Sequence, residues 1–148
     1  MDCLTHGVYV IGTHVDETEN LMTAAWVSQA SGRPETVTVA IGKNHYTAEL
    51  IQKAGSFTVS MLTEEQKDIA RICGFQTGRK VKKTEQVGVE YTKQRIPFVA
   101  GCRAYLECRL AGTQMISDHI LFIGEVTGGE ALSGSNKESL QYHQAEFF

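Results

Sequence analysis

Short runs of β-branched and aromatic residues alternate with polar turns along the first 42 residues, and this pattern predicts three strands. The first run, residues 7–14, leads into the acidic stretch 16–20, which predicts a hairpin turn. The middle run spans residues 22–28. The third run, residues 36–41, alternates apolar and polar side chains, as a half-buried strand does. The chain therefore begins as antiparallel β-structure.

Helical spacing of apolar residues appears twice after these strands. Residues 45–53 form the first helical pattern, with Asn44 as the expected N-cap and Gly55 as the expected stop. Thr63 opens the second pattern with the spacing of a capping box. Between the two helices, residues 57–61 alternate as a strand should. Two short helices therefore interrupt the predicted β-structure.

The second half of the chain is again rich in strand patterns, at residues 87–91, 98–110 and 119–126, and a polar tail is expected from about residue 129. At least six strands and two short helices, without regular alternation of strand and helix, favour a mainly β fold. We expect one domain over residues 1–148, an antiparallel barrel with helical insertions. The chain contains no Gly-x-Gly-x-x-Gly motif, so a Rossmann domain is not expected.

Composition narrows the class of function. The 148 residues are 42% hydrophobic and 21% charged, enough to bury a core. A net charge of -3 argues against general attraction to nucleic acid or anionic membranes. The sequence contains no run of 18 apolar residues, so no membrane span is expected. Four scattered cysteines and the lack of a signal-like N-terminus make the cytoplasm the expected location.

The start of the first predicted helix carries groups that suit an anion. Lys43 adds a positive charge, Asn44 is the expected N-cap, His45 begins the helical pattern and Thr47 adds a hydroxyl. Unpaired N–H groups at a helix N-terminus attract phosphate groups. The alternative is an ordinary capped helix on the surface, since such caps are common.

The middle strand run offers a wall for a flat heterocycle. Its backbone amides and hydroxyls can pair with a polar ring edge while Trp26 covers or borders the ring. The candidate residues are Thr23, Ala24, Ala25, Trp26, Val27 and Ser28. A flat wall beside a phosphate site indicates a nucleotide-like cofactor, and FMN is the candidate. The alternative is a strand with a buried tryptophan.

Two further features contribute candidate residues. The segment 74–83 is a basic loop with four cations in five positions, or else merely a solvated loop. His119 precedes an apolar strand, where its imidazole can orient a ring or move a proton; the alternative is an inert residue at a strand end. The other histidines lack metal-ligand spacing, so no zinc site is expected.

The order of these segments resembles the flavin reductase-like family of FMN-binding split barrels. That family includes flavoredoxins and the flavin reductase domains attached to rubredoxins or flavodiiron proteins. The resemblance covers residues 7–126 and is carried by segments 7–10, 20–28, 44–47, 49–51, 57–62, 74–79, 106–108, 118–119 and 122–126.

The resemblance implies a split β-barrel, antiparallel and Greek-key-like, with FMN as cofactor. Residues 23–28 would line the isoalloxazine and ribityl side, and His119 would face the flavin or the nicotinamide. The residues that approach the phosphate would be Asn44, Thr47, Arg79 and Lys83, with Gly78 in the same loop. Such proteins are typically homodimers with FMN near the subunit interface.

The implied function is that of an FMN-dependent oxidoreductase, which takes a hydride from NADH or NADPH and passes electrons to a protein or small acceptor. An acidic electron-transfer protein such as rubredoxin or a flavodiiron protein would be the partner. The basic loop at residues 74–83 and the residue after it depart from the family pattern at Lys80, Lys82 and Thr84. These departures favour a negatively charged partner. The alternatives are a flavoredoxin-like electron carrier without NAD(P)H activity and a barrel that binds another ligand.

Overall fold

The computed structural model describes residues 3–80 and 82–141, which form a mainly β, antiparallel structure with two α-helices. The predicted fold class is therefore confirmed. In chain order the elements are β1 (Tyr9–Val15), β2 (Thr18–Ala24), β3 (Val27–Gly32), β4 (Glu35–Gly42), α1 (Tyr46–Ala54), β5 (Ser56–Met61), α2 (Lys67–Phe75), β6 (Val89–Tyr91), β7 (Pro97–Val99), β8 (Ala104–Ile116) and β9 (His119–Ala131). Short 3-10 turns lie at Glu64–Gln66, Lys83–Glu85 and Ser133–Asn136.

Seven strands form one curled sheet in the order β2-β1-β5-β8-β9-β4-β3, and β6 and β7 form a separate hairpin. The two edge strands of the large sheet, β2 and β3, are separated in sequence by Ala25 and Trp26 alone. Three Cα steps span at most about 11 Å. The sheet must therefore curl until its edges come close, which gives the molecule its barrel-like shape.

The strand alternation divides the interior into two cores. Inward-facing residues of β1, β4, β5 and β9, such as Ile11, Val39 and Phe122, pack with the apolar side of α1 inside the curl. The opposite faces of β1 and β2 pack against α2, where Val10 and Cys73 are fully buried. Each buried large side chain contributes about 1.5–3 kcal/mol relative to exposure. The helices are thus fixed on the two faces of one hairpin.

The middle run predicted over residues 22–28 is not one strand. β2 ends at Ala24 and β3 begins at Val27, and the chain crosses from one edge of the sheet to the other between them. The Trp26 carbonyl still accepts a hydrogen bond from the Ala40 N–H at 3.0 Å. The run predicted over residues 98–110 is likewise broken between β7 and β8, where Gly101 adopts a positive φ of 73°.

The start of α1 also differs from the expectation. The N-cap is His45, not Asn44, because the His45 N–H donates to the Gly42 carbonyl at 3.0 Å and the chain turns before the helix begins. Gly55 ends the helix in the left-handed conformation, at φ 73°, as predicted. The Gln66 side chain accepts a hydrogen bond from the Thr63 N–H, so the second helical segment begins where the sequence predicts.

The polar tail expected from about residue 129 starts later in the described part of the chain. β9 continues to Ala131, and Leu140 is buried in the second core. The Leu140 N–H donates to the Leu62 carbonyl, and its own carbonyl accepts from the Val8 N–H, both at 3.0 Å. The last part of the expected tail, 142–148, lies outside the described residues. Within 3–80 and 82–141, neither helix is long and apolar enough to cross a membrane.

Candidate functional site

A cleft of about 330 Å3 lies at the N-terminus of α1. Three parts of the chain form it: the β2 strand, the start of α1, and the segment from the end of α2 to the following turn. The lining residues are Asn20, Met22, Asn44, His45, Tyr46, Thr47, Cys73, Gly74, Phe75, Gln76, Thr77, Gly78 and Lys83. The fold therefore brings the predicted helix N-terminus together with part of the predicted basic loop.

Lys83 places a buried cation in this cleft. The side chain is only 3% exposed, and its Nζ donates a hydrogen bond to the Cys73 carbonyl at 2.7 Å. Burial lowers the pKa of the Lys83 ammonium, because its charge is poorly solvated there. An ammonium has three N–H donors, and this is its one hydrogen bond within the described residues. Two donors therefore remain for an anionic ligand.

Asn20 forms another part of the cleft wall, and the sequence analysis does not select it as a site residue. It is 2% exposed, and its Nδ2 donates to the Thr47 hydroxyl at 2.9 Å. A hydroxyl that accepts from Asn20 still has its own hydrogen to donate, and Thr47 lines the cleft. Gly78 packs so closely on the Asn20 amide that a Cβ atom there would overlap it. The sequence signal was a lone asparagine just before the apolar part of a strand.

The first turn of α1 completes the donor set. The His45 N-cap makes no side-chain capping bond, so the first N–H groups of the helix are left for a ligand or for water. Partial burial, together with the charges of His119 and Lys83, lowers the pKa of the His45 imidazole. No Asp or Glu occurs among the described residues that line the cleft. Donors without carboxylates favour an anionic ligand.

Three predicted phosphate-site residues lie at the edge of this cleft or outside it. Lys43 and Asn44 are exposed, and the Lys43 N–H donates to the Asp118 carbonyl at 3.0 Å. Arg79 is not part of the lining. Its guanidinium pairs with Glu49 and lies over the Tyr46 ring, 4.7 Å from its centroid. The hydrogen bond and charge of Arg79 hold the pKa of Glu49 below its usual value.

Trp26 and His119 form an aromatic wall close to the cleft. Trp26 is 51% exposed, so the alternative of a buried tryptophan is wrong. The ring centroids of Trp26 and His119 lie 4.7 Å apart at an angle of 38°, and His119 Nδ1 is 2.8 Å from Asp118 Oδ1. His119 pairs with Gly42, and the ring of the cleft residue His45 packs against Gly42, so the wall adjoins the cleft.

The other residues of the predicted flavin wall have different environments. The Thr23 hydroxyl donates to the Ala70 carbonyl at 2.7 Å, and the Ser28 hydroxyl donates to the Gln29 carbonyl at 3.1 Å. Ala24 is buried in the core, while Val27 pairs with Val39 of β4. Ala25 and Trp26 remain as the crossing between the sheet edges, outside both strands. None of residues 23–28 lines the cleft itself in the described chain.

A second cavity, of about 260 Å3, is lined by strand and loop residues and by none from α1 or α2 among the described residues. Its walls are mostly apolar and include Tyr9, Val27, Met61 and Leu106. Arg103 reaches it, but its guanidinium already donates to the Lys137 carbonyl and the Ser139 hydroxyl, at 2.8 and 2.6 Å. This cavity lacks the donor set of the α1 cleft and is not the anion site.

The three buried cysteines, Cys73, Cys102 and Cys108, do not supply a reactive thiolate. Cys102 and Cys108 are buried, as predicted for small core residues. Burial raises the pKa of Cys108 to about 12 and that of Cys73 to about 11, although the Lys83 charge opposes the shift at Cys73. The basic loop therefore does not activate Cys73 as a nucleophile.

The donor arrangement at Thr47 gives a direct test. We expect Thr47→Val to weaken binding of FMN, the cofactor predicted from the sequence, about two- to tenfold, because the variant loses one hydroxyl donor worth about 0.5–1.5 kcal/mol and leaves Asn20 without its acceptor. Thr47→Ser is the matched control, since it keeps the hydroxyl. Fluorescence titration with FMN measures both affinities. Equal affinities for the two variants would remove Thr47 from the anion site.

The chain matches a known family over its full length. The family model described as "Flavin reductase like domain" matches residues 1–148. The high molecular weight rubredoxin of Moorella thermoacetica is 32% identical over 146 residues, which cover 97% of this chain and 64% of that protein.

Solved structures agree with the sequence match. The FMN-binding protein of Thermus thermophilus, solved with bound 1-cyclohex-2-enone, has a TM-score of 0.88 at 26% identity, covering 97% of this chain and 85% of its own. The flavoredoxin of Methanosarcina acetivorans has a TM-score of 0.87 at 27% identity, covering 95% of this chain and 81% of its own.

Proposed function

This chain belongs to the flavin reductase-like domain family, and we propose that it is an FMN-dependent oxidoreductase. In this proposal it takes a hydride from NADH or NADPH and passes the electrons to a protein or small acceptor. The observation that carries the proposal is the donor-lined cleft at α1 beside the exposed Trp26–His119 wall. One feature suits a phosphate and the other suits a flat ring.

The residues of the cleft fit the phosphate of FMN. Lys83 offers a charge and two free N–H donors, Thr47 offers a hydroxyl hydrogen, and the first turn of α1 offers backbone N–H groups. A phosphate monoester carries up to two negative charges and several acceptor oxygens, so it would satisfy these donors together. It would also compensate the buried Lys83 ammonium. The structure thus supports a monophosphate end group as the anchor.

Each residue has a defined task in this proposal. A bound flavin supplies the redox chemistry, as hydride acceptor and electron donor. Lys83, Thr47 and the α1 amides bind the phosphate, and the Ala25–Trp26 crossing borders the ring. His119 faces the ring from the side of Trp26, where its Nε2 can hold or donate a proton. Asn20 and Gly78 keep the cleft in shape through the Thr47 contact.

The proposal includes a setting and partners. We propose a homodimer in a reducing cytoplasm; the four cysteines, all free thiols, support that location. The Moorella relative is a rubredoxin, which supports a small electron-transfer protein as acceptor. The exposed Lys80 and Lys82, near the cleft, favour an acidic docking surface on that acceptor.

The test begins with the visible spectrum of the purified protein. We expect a yellow protein, or a colourless one that takes up added FMN stoichiometrically. After anaerobic mixing with NADH or NADPH, the absorbance of the flavin band should fall at least as fast as the protein turns over in the steady state. A preparation that neither carries nor binds FMN would overturn the proposal, because the cleft would then serve a different anion.

The named flavoredoxin neighbour favours a second candidate, an electron carrier that binds FMN without useful NAD(P)H activity. The same stopped-flow experiment separates the two. If a reduced protein donor bleaches the bound flavin while NADH and NADPH do not, the carrier function is correct. Rapid bleaching by either nicotinamide nucleotide supports the oxidoreductase.

A further inference from the structure

His119 is held on several sides, and one of its contacts is the residue immediately before it. Asp118 Oδ1 lies 2.8 Å from His119 Nδ1, and the Trp26 indole packs against the imidazole with centroids 4.7 Å apart. The β4–β9 pairing sets His119 opposite Gly42, and the His45 ring packs against Gly42. With Nδ1 occupied, Nε2 is the ring nitrogen left for a ligand.

The chemistry of the Asp118 contact fixes where the imidazole hydrogen lies. An ionised carboxylate only accepts hydrogen bonds, so Nδ1 must carry the hydrogen that joins the two groups. The hydrogen bond to His119 lowers the pKa of Asp118, as do the charges of His119 and Lys43, so the carboxylate is ionised at neutral pH. In the neutral ring, Nε2 then bears a lone pair; in the protonated ring, it bears an N–H.

The backbone around Asp118 keeps this geometry in place although the side chain is 84% exposed. The Asp118 carbonyl accepts from the Lys43 N–H at 3.0 Å, which ties the start of β9 to the loop before α1. Ser117 adopts a positive φ of 53° in the β8–β9 turn, so the chain turns sharply at this point. The charged and titratable groups near the His119 ring are Asp118, Lys43 and His45.

We propose that Asp118 is a positioning residue that sets the tautomer of His119. The Asp118 carboxylate holds the hydrogen on His119 Nδ1, which leaves His119 Nε2 for a ligand that lies beside Trp26. The inference rests on the proposed function, in which that ligand is the flavin or nicotinamide ring. The tautomer, however, is a property of the ligand-free protein and can be measured without any turnover.

The first test is nuclear magnetic resonance of ligand-free protein labelled with 15N-histidine, at a pH where the imidazole is neutral. His119 signals are assigned by their loss in His119→Ala. We expect the Nδ1–H tautomer in the parent protein and a shift towards Nε2–H in Asp118→Ala. A parent protein already in the Nε2–H form, or an unchanged Asp118→Ala spectrum, would overturn the inference.

The second test is a double-mutant cycle on hydride transfer in the FMN-loaded protein. We expect Asp118→Ala to slow bleaching by NADH about tenfold without changing FMN affinity, and to have no further effect in a His119→Ala background. Asp68→Ala, which removes an exposed carboxylate on α2, controls for the loss of charge. Equal slowing in both backgrounds would contradict a role through His119. If the parent protein shows no hydride transfer, the proposed function fails while the tautomer result still decides the role of Asp118.

Discussion

Replacing Lys83 by methionine is expected to weaken FMN binding about ten- to a hundredfold while making the FMN-free protein more stable. A hydrogen bond to a charged group is worth about 1.5–3 kcal/mol, and each 1.4 kcal/mol corresponds to a tenfold change in affinity. The free protein, in contrast, bears the cost of a buried ammonium with one hydrogen-bond acceptor, the Cys73 carbonyl. Methionine has a similar length and no charge to desolvate.

The stability gain should depend on pH in a defined direction. Burial lowers the pKa of Lys83 in the folded protein below its usual 10.5, so the unfolded chain holds this proton more tightly. The free energy of unfolding of the parent protein therefore rises as the pH increases from the folded pKa towards 10.5. The stability advantage of Lys83→Met should be largest at neutral pH and shrink across that window. Denaturant melts of both proteins at several pH values measure the difference.

A matched control lies one residue away. Lys82 is exposed and pairs with Glu85, so Lys82→Met removes the same charge from the same segment without entering the cleft. Its FMN affinity should stay within about twofold of the parent, because exposed charges contribute little. If Lys83→Met retained parental affinity for FMN, the phosphate would have to bind elsewhere, and the assignment of this cleft would be wrong.

Much of this cleft was accessible from local sequence signals. The helix α1, its end at Gly55 and the basic segment after α2 all have short-range causes: apolar spacing, a left-handed glycine and a cluster of charges. What the pattern alone could not give is that the basic segment meets the start of α1. The basic segment meets the start of α1 because both helices pack on the β1–β2 hairpin. For Lys83, the family resemblance predicts this position.

Other features depend on contacts that are distant in sequence. Asn20 and Thr47 are 27 positions apart, so no local pattern links them. The break between β2 and β3 was missed because Ala25 and Trp26 continue the alternation of the strand, and the sheet order alone shows that the chain changes edge there. The N-cap was misplaced by one residue because the turn that ends at His45 uses the Gly42 carbonyl, a backbone contact without a side-chain signal.

His119→Ala is expected to slow hydride transfer from NADH about a hundredfold while leaving FMN affinity within about threefold of the parent. General acid–base groups contribute about 10²–10⁴-fold to a rate, and we take the lower end because the hydride itself is not moved by a side chain. His119 lies outside the anion cleft and contacts Trp26, so its removal takes away no phosphate ligand. Stopped-flow bleaching of FMN-saturated protein separates the rate from the affinity.

The matched variant for this prediction is His119→Gln, whose amide nitrogen can reach the position of Nε2 and donate a hydrogen bond there. It should recover part of the lost rate if His119 acts by donation at Nε2, whereas a purely steric role would be restored equally by an apolar residue such as methionine. Far-ultraviolet circular dichroism and thermal melts check that the variants fold. Parental rates in His119→Ala would make this histidine a packing partner of Trp26 at the end of a strand, and the proton chemistry of the site would then have to come from His45 or from water.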